Sequence, residues 1–341
     1  MIHEIEISEA LSLGLPIVDV RSPGEFKRGH IPDAVNIPLF SDEERAEVGT
    51  AYKQESREKA LELGLNFVEP KLQSFIQKSE QSAPDRRVCV HCWRGGMRSE
   101  SFAKHLHEND FMDVFRIKGG YKAYRRHVQS SFEESLNLNI LGGYTGSGKT
   151  HILLEMKRNG EQVIDLEGMA NHKGSAFGGI GQDEQPSTEH FENILFHEIR
   201  NSDPSRPIWV EDESINIGSV QIPQPFYRQM QDSLLYFLEI PKEERIKHLV
   251  EEYAGCKNER LADSIRRISK RLGGLRKKNA LENLDQENYQ QVASIALEYY
   301  DKLYAKGMNK RKDREVVIIK LSGTDHAANA KKIEQISGAY V

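Results

Sequence analysis

The sequence predicts an α/β protein with two domains, each built around a parallel sheet. Short apolar, β-branched runs alternate with stretches of helical spacing along much of the 341 residues, a pattern typical of parallel sheets covered by helices. Two glycine-rich loops each follow an apolar run and lead into a helix. The length exceeds what one hydrophobic core usually fills. We therefore expect a first domain at residues 1–128 and a second at residues 137–341, the latter ending in a helical, basic part.

Composition limits the classes of function. No apolar run approaches the roughly 20 residues of a membrane-spanning helix, and the acidic N-terminal stretch lacks the layout of a signal peptide. Three cysteines without a framework spacing fit a reducing compartment, so we expect a cytoplasmic protein with no membrane partner. The net charge of -5 restricts any nucleic-acid binding to a local basic patch.

The first domain alternates strands and helices in a regular order. Strands are expected at Ile17–Val20, after Gly29, at Val88–Val90 and at Val114–Ile117, the last preceding a glycine pair. Asp19 and Arg21 suit a structural ion pair or turn, and His30 suits a loop cap. These three residues are assigned no chemistry.

The stretch around Cys92 carries the expected chemistry of this domain. Cys92 follows an apolar strand and precedes a helix, so it faces backbone N–H groups and the positive end of that helix. Two arginines and two glycines nearby favour a thiolate and allow the loop to hold an oxyanion. The loop residues are Trp93, Arg94, Gly95, Gly96, Met97 and Arg98. Cys89 lies inside the strand and suits a structural role. Residues three apart in a strand point to opposite faces, so a redox pair of Cys89 and Cys92 would require Cys92 to have turned into the loop.

An insertion of charged helices separates the two halves of this domain. It includes the stretches 41–54 and 60–64, and its helices can lie over the Cys92 loop. Gly64 follows Leu63 and is expected to cap a helix C-terminus.

The second domain opens with a phosphate-binding loop. A strand at Leu138–Leu141 precedes the pattern G-x-x-x-x-G-K-T, and a helical stretch follows it. A strand before and a helix after make this pattern a strong indication of phosphate binding. Backbone amides of the loop cradle a diphosphate, Lys149 neutralises it, and Thr150 can ligate Mg²⁺. The diphosphate-binding residues are Gly143, Gly146, Ser147, Gly148, Lys149 and Thr150.

Two further strands of this domain end in acids. They cover Val163–Gly168 and Ile208–Ser214, and either Glu211 or Asp212 can act through a metal in the manner of a Walker B acid. The polar, glycine-rich stretch 171–179 suits a mobile substrate loop. The sequence leaves the identity of any bound metal open.

A basic segment follows in the mainly helical part after Pro241. Between Lys257 and Lys278, apolar residues Ile265, Ile268, Leu272 and Leu275 recur at helical spacing, which predicts one core face and one basic face. On an acidic protein this local excess indicates a nucleic-acid footprint. The residues of this footprint are Arg266, Arg267, Lys270, Arg271, Arg276, Lys277 and Lys278, with Lys306, Lys310, Arg311, Lys312 and Arg314 as a second cluster.

The first domain resembles the rhodanese family. The resemblance rests on Asp19–Arg21, Glu25-Phe26, Gly29–Pro32, the Cys92 loop and Gly119–Tyr121. Ordinary sulfur-transferring rhodaneses usually have a loop one residue shorter, so the longer loop here should fit a tetrahedral anion. The same spacing from His91-Cys92 to Arg98-Ser99 is also the signature of cysteine-dependent phosphatases. The loop alone does not separate the two chemistries.

The whole chain resembles the bacterial tRNA 2-selenouridine synthase family. The motifs that carry this resemblance are Gly49–Gln54, Cys92–Ser99, Gly119–Ala123, the phosphate loop and Glu167–Gly178, in this order. The resemblance implies a transferase that acts on wobble 2-thiouridine of tRNA. It also implies that geranyl diphosphate alkylates the sulfur and that selenium from selenophosphate then replaces the geranylthio group. By its position in the motif, Cys92 is implied to handle selenium.

Two other readings stay open at this point. One is a rhodanese-type sulfurtransferase or cysteine-dependent phosphatase that is regulated by a nucleotide; its best candidate for a phosphatase acid is Asp42. The other is a non-catalytic, nucleotide-switched tRNA-binding protein, which has no need of a thiolate loop.

Overall fold

The computed structural model describes residues 1–253, 255–310 and 315–338, with the backbone alone for residues 305–310. The chain divides into two compact units. The first consists of Met1–Ser131 together with Glu192–Phe196. The second consists of Phe132–Phe191 and the described residues from His197 onward. Within the described ranges, none of the helices combines the length and apolar composition that crossing a bilayer requires.

The first unit is a parallel five-stranded sheet with helices packed on it. Its elements are β1 (Ile2–Ile5), α1 (Ile7–Ser12), β2 (Ile17–Asp19), α2 (Pro23–Arg28), β3 (Val35–Asn36), α3 (Asp42–Gln54), α4 (Arg57–Val68), α5 (Leu72–Ser82), β4 (Arg87–His91), α6 (Met97–Glu108), β5 (Asp113–Ile117) and α7 (Gly120–Ser131). The strand order is β1-β5-β4-β2-β3, and all pairs are parallel. The predicted parallel sheet is confirmed, although the edge strand β1 was not expected.

Local sequence signals fix where the helices of this unit begin. Ser22 and Ser41 each form a capping box, in which the serine side chain accepts an N–H bond and a glutamate three residues later accepts the serine N–H. Pro23 adds a residue that is preorganised for the first helical turn. The central strand β4 is fully buried from Val88 to Val90, as its apolar run predicts.

A buried ion pair stands at the end of β2. The guanidinium of Arg21 donates to both carboxylate oxygens of Asp19, at 2.6 to 3.0 Å, and also to the carbonyl of Gly29 at 2.8 Å. Burial alone would raise the pKa of Asp19, but His91 and Arg21 outweigh it and lower that pKa. The prediction of a structural ion pair is confirmed. The ring of His30 stacks on Phe26 and bonds its carbonyl, which matches the expected loop cap.

The insertion forms α3, α4 and α5, and one detail of its prediction was wrong. Gly64 lies inside α4 and does not end it. A Cβ at this position would come 3.2 Å from the Phe40 ring, so glycine is there because α4 packs closely on the core. A glycine that ends a helix and a glycine inside a helix look alike in the sequence, which is why a helix C-cap was expected.

The second unit has its own parallel sheet and a helical part. Its elements are β6 (Leu138–Gly143), α8 (Lys149–Arg158), β7 (Gln162–Ile164), α9 (Leu166–Met169), α10 (Thr188–Arg200, whose residues 192–196 group with the first unit), β8 (Ile208–Glu211), β9 (Asn216–Ile217), β10 (Val220–Gln221), α11 (Gln224–Asp232), β11 (Leu234–Glu239), α12 (Lys242–Glu252), α13 (Asn258–Arg267), α14 (Ser269–Leu272), α15 (Gly274–Asp285), α16 (Tyr289–Lys310), β12 (Val316–Lys320) and α17 (His326–Ser337). The sheet order is β12-β11-β6-β8-β7, with all pairs parallel.

Two apolar cores stabilise this unit. One lies on the sheet and includes Leu141, Trp209 and Tyr236, against which α8 and α17 pack. The other lies among α13 to α16 and includes Ile265, Leu284 and Val292. The second unit therefore combines the predicted parallel sheet with the predicted helical part. The expected helical region after Pro241 is interrupted once among the described residues, by β12.

The basic segment differs from the single two-faced stretch that the sequence predicted. It folds as α13, α14 and the start of α15, with a break at Gly273, whose φ is +89°. Ile265, Ile268 and Leu272 are buried as expected, but Leu275 is 74% exposed. The assignment of Leu275 to the core was wrong because the break resets the helical phase.

Candidate active sites

Cys92 lies directly after β4, at the carboxyl end of the central strand of the first sheet. Catalytic and binding residues of parallel α/β sheets collect at this end. Gly96 is the N-cap residue of α6, so the loop Cys92–Gly96 connects a buried strand to a helix N-terminus as predicted. The thiol is only 3% exposed and forms no disulfide.

Backbone contacts with the glycine pair after β5 hold this loop. The N–H groups of Tyr121 and Lys122 donate to the carbonyls of Cys92 and Trp93, both at 2.9 Å. Gly120 has a φ of +55°, and a Cβ there would lie 2.2 Å from the carbonyl oxygen of Cys92. No side chain fits in that space, so the glycine pair fixes the position of the reactive loop.

The thiol has one close polar side chain, and the sequence assignment did not include it. The Sγ atom of Cys92 lies 3.3 Å from the hydroxyl oxygen of Ser99 in the first turn of α6. A hydroxyl at this distance can donate to a thiolate or to an anion bound beside it. Ser99 is fully buried. Ser99 is the last residue of the motif that runs from His91-Cys92 to Arg98-Ser99, and this position was the sequence signal for it.

Arg98 is held by a carboxylate within its own unit. Its guanidinium donates to Glu25 at 2.7 Å, and Arg45 of α3 lies 3.8 Å from the same carboxylate. Burial opposes ionisation of Glu25, but the hydrogen bond and charge of Arg98 outweigh it and lower the pKa of Glu25. An incoming oxyanion therefore competes with Glu25 for Arg98. Arg94 is exposed, so the two arginines of the loop have different surroundings.

Cys89 has no such environment. It is fully buried within β4, and burial raises the pKa of its thiol to about 12. Buried thiols in apolar surroundings are chemically inert. This supports a structural role for Cys89.

The insertion reaches the loop through α4. The guanidinium of Arg57, the first residue of α4, lies 3.7 Å from the sulfur of Met97. Asp42, the candidate phosphatase acid, has both carboxylate oxygens 2.9 and 3.0 Å from the N–H of Gly24 in α2. Its carboxylate already serves as a hydrogen-bond acceptor at that helix, which disfavours the phosphatase reading.

The phosphate loop of the second unit runs from the end of β6 into α8. Gly146 and Gly148 have φ values of +80° and +70°, a conformation that glycine adopts without strain. The hydroxyl of Ser147 is buried with no hydrogen-bond partner among the described residues. A buried hydroxyl of this kind is available to a bound oxyanion.

Carboxylates surround the lysine of the loop. The hydroxyl of Thr150 donates to Glu167 at 2.6 Å. Burial would lower the pKa of Lys149, but Tyr304 and the acids Glu167 and Glu213 outweigh it and raise that pKa, so the ammonium group stays charged. Burial and then Glu167 raise the pKa of Glu213 well above its usual value. Sequence reasoning gave Glu167 and Glu213 no role; the run of three acids that begins with the last residue of β8 was the signal for Glu213.

The two acids that the sequence nominated lie close to this group, and the charge of Asp212 also raises the pKa of Lys149. Glu211 is fully buried, and its carboxyl accepts the N–H of Leu166 at 3.1 Å. Burial and the neighbouring carboxylates of Asp165 and Glu167 raise the pKa of Glu211 well above its usual value. Asp212 is 7% exposed. Glu213, one residue further, faces the cavity described next.

An apolar chamber opens from the phosphate loop within the second unit. Its volume is about 340 Å³, and Lys149, Thr150, Glu167 and Glu213 line its polar end. The rest of the wall is mainly aliphatic and aromatic. It is formed by Phe177, Leu249, Val250, Tyr253, Leu261, Tyr289, Val292, Ala293, Ala296, Leu297 and Tyr300.

The expected substrate loop forms part of this wall. Residues 173–175 and Phe177 line the chamber, and the ammonium of Lys173 binds Glu252 of α12 at 2.8 Å. Arg245, also on α12, donates to the carbonyl of Thr145 in the phosphate loop and to Asp301 of α16. These contacts connect the phosphate loop to the helices that form the apolar wall.

The basic segment presents its cations to solvent. Arg266, Arg267, Lys270, Arg271, Arg276 and Lys278 are exposed, and Lys277 is half-buried. Several have partners within the unit: Arg266 binds Asp263 and Arg276 approaches Glu298. In the second predicted cluster, the side chains of Lys306 and Lys310 and the residues Arg311, Lys312 and Arg314 lie outside the described part of the chain.

Comparison with known proteins supports both halves of this description. The family described as the tRNA 2-selenouridine synthase AAA domain matches residues 136–332, and the rhodanese-like domain family matches residues 5–127. The fold prediction of a rhodanese-like domain followed by a phosphate-loop domain is confirmed.

Whole-length relatives agree with these matches. A tRNA 2-selenouridine synthase of Hydrogenovibrio crunogenus is 36% identical over 87% of this chain and 90% of its own. Those of Shewanella loihica and of a Sulfurovum species are 34% and 36% identical, over 91% and 85% of this chain and 92% and 87% of theirs. At this identity and coverage, the chain belongs to the tRNA 2-selenouridine synthase family.

Proposed function

We propose that this protein replaces the sulfur of 2-thiouridine in tRNA by selenium, in two steps that use geranyl diphosphate and selenophosphate. The relatives' activity, tRNA 2-selenouridine synthesis, supports the overall reaction. The observation that carries the choice of geranyl diphosphate is the apolar chamber that opens from the phosphate loop. It offers a diphosphate site continuous with an apolar wall, which a prenyl diphosphate requires and a nucleotide does not.

The first step is alkylation of the tRNA sulfur. The thiocarbonyl sulfur attacks the allylic carbon of geranyl diphosphate, the carbon–oxygen bond breaks, and pyrophosphate leaves. Lys149, Ser147 and the loop amides bind the diphosphate and also stabilise the charge that develops on it. The oxygens of Thr150, Glu167 and Glu213 are the donor type that Mg²⁺ prefers, and such an ion would balance the charge of the diphosphate.

The apolar wall excludes water from the allylic carbon. Phe177, Leu261 and Leu297 surround the space into which the prenyl chain would extend. Burying each methylene group contributes about 0.8 kcal/mol, so the chain adds affinity that the diphosphate alone lacks. A dry site also protects the developing allylic cation from hydrolysis.

The second step uses the first unit. Alkylation turns the sulfur into a better leaving group, so selenium adds at C2 of the uridine and geranylthiol leaves. Selenophosphate supplies the selenium, and water takes up its phosphoryl group as phosphate. Cys92 is the residue assigned to handle selenium, with Ser99 beside its sulfur at 3.3 Å and Arg98 as the cation that meets the anion.

The tRNA is assigned to the basic segment. The side chains of Arg267, Lys270 and Lys277 have no ion-pair or hydrogen-bond partner among the described residues, so these cations can meet backbone phosphates without losing a contact. Leu275 projects into solvent in the same segment. Exposure of both charge and an apolar side chain suits a nucleic-acid surface better than a solvated helix face.

Replacing Cys92 by Ser should abolish selenium incorporation, because serine offers no thiolate beside the anion site, and should leave geranylation and tRNA binding intact. Mass spectrometry of nucleosides from the treated tRNA measures both products. Cys89→Ser is the matched control and should retain selenation, since Cys89 lies inside the strand. Selenation by the Cys92 variant at the native rate would remove Cys92 from the mechanism.

Replacing Ala296 by Phe should fill the chamber and weaken binding of geranyl diphosphate, while inorganic pyrophosphate still binds. Calorimetry on both ligands measures this, with Lys149→Ala as the control that should weaken both. In the native protein, dimethylallyl diphosphate, five carbons shorter, should bind on the order of 100- to 1000-fold more weakly than geranyl diphosphate. Equal affinity for the two chain lengths, or tight ATP binding that geranyl diphosphate does not displace, would support the nucleotide-regulated alternative.

Replacing Arg267, Lys270 and Lys277 together by Gln should weaken tRNA binding and flatten its dependence on salt. Each lost phosphate contact lowers the slope of log K against log salt by about 0.7 to 0.9, so three contacts lower it by about two to three. The control is the same exchange at the exposed Lys78, Lys157 and Lys331, which should change the slope little. Equal slopes for the two triple variants would make the basic segment an ordinary solvated surface.

A further inference from the structure

Three histidines from three helices converge beside the phosphate loop. They are His151 of α8, His248 of α12 and His326 at the start of α17, and one ring nitrogen from each lies within 4.8 Å of the others. The rings of His151 and His326 stack with centroids 4.8 Å apart. The His248 ring meets them at steep angles, with centroids 5.5 and 5.2 Å away. The proposed reaction gives none of the three a role.

The cluster is built into the fold and is not a chance meeting of surface side chains. His248 is only 7% exposed, and the Nε2 atom of His326 is buried with no hydrogen-bond partner in the described ranges. A buried nitrogen without a partner is destabilising, so it calls for a ligand. A Cβ at Gly148 would lie 2.6 Å from that atom and 3.6 Å from Nε2 of His248.

The donor set is that of a borderline transition metal. Imidazole nitrogens suit Zn²⁺, whereas Mg²⁺ prefers oxygen ligands such as those of Thr150 and Glu167. Three histidines with an open fourth position are a common zinc arrangement. The carboxylate of Glu252 lies 4.0 Å from Nε2 of His248 and can orient that ring or complete the coordination shell.

We propose that His151, His248 and His326 bind one Zn²⁺ ion at the edge of the phosphate loop. Zn–N bonds of about 2.0 to 2.1 Å require the three nitrogens to draw closer than 4.8 Å, and exposed His151 can rotate to allow this. The ion would tie α12 to α8 and α17. Because α12 carries the chamber wall residues Leu249 and Val250, zinc would fix that wall against the phosphate loop.

The test uses the full chain without a histidine tag, after treatment with a chelator and without substrates. Competition titration should give one Zn²⁺ per chain, and Co²⁺ should give the intense visible absorption of a tetrahedral nitrogen site. His151→Gln and His326→Gln should each weaken Zn²⁺ binding more than about 100-fold, since loss of a second-shell partner alone costs 10- to 100-fold. His107→Gln, at an exposed histidine of the first unit, should bind as the native chain does.

His151 is exposed, so its replacement tests the site without disturbing a core. Unchanged Zn²⁺ affinity in the His151 and His326 variants would overturn the proposal. A thiolate-to-cobalt charge-transfer band that disappears in Cys92→Ser would overturn it too, by placing the metal at the other unit. Because the titration needs neither geranyl diphosphate nor tRNA, its outcome is separate from that of the proposed reaction.

Discussion

The charge balance around Lys149 is the constraint on which the second unit depends. A lysine that stays protonated lies beside Glu167 and Glu213, and burial together with Glu167 raises the pKa of Glu213. An anionic diphosphate fits this group because Lys149 and the buried Ser147 hydroxyl can meet it. The chamber that opens from this group has a mainly apolar wall, in which the charges of Lys173 and Glu252 are paired with each other. A charged group beside an apolar wall favours a ligand with a charged head and an apolar tail. The assignment of a prenyl diphosphate rests on this arrangement.

In the first unit, backbone contacts hold the Cys92 loop in a fixed position. The carbonyls of Cys92 and Trp93 are bonded by the N–H groups that follow the glycine pair, and Gly120 leaves no room for a Cβ. Arg98 is paired with Glu25, so an incoming anion competes with that carboxylate for Arg98. Each unit by itself thus supports one half of the proposed reaction: anion and selenium handling in the first, and diphosphate and prenyl binding in the second.

Sequence patterns predicted the parts of these sites that depend on local backbone chemistry. The strand, glycine turn and helix around Cys92 and around Lys149 follow from apolar runs and glycine positions. What the sequence did not reveal depends on long-range packing: Glu25 meets Arg98 from 73 residues away, and the chamber wall comes from α12, α13, α16 and the loop before α10. Leu275 was wrongly assigned to the core because the apolar residues continue at helical spacing in the sequence, whereas Gly273 interrupts the helix in the structure. The family resemblance rested on the order of several motifs, which is why it was specific where each motif alone was not.

The most direct measurement of the central claim separates the two half-reactions in the Lys149→Ala variant. The variant is given either 2-thiouridine tRNA with geranyl diphosphate, or tRNA already geranylated together with selenophosphate, and the nucleosides are analysed by mass spectrometry. If the phosphate loop serves only the prenyl step, geranylation is lost and selenation of the geranylated tRNA proceeds at close to the native rate. Geranylation at the native rate, or equal loss of both activities in a variant that still binds tRNA, would contradict the assignment of the two steps to the two units.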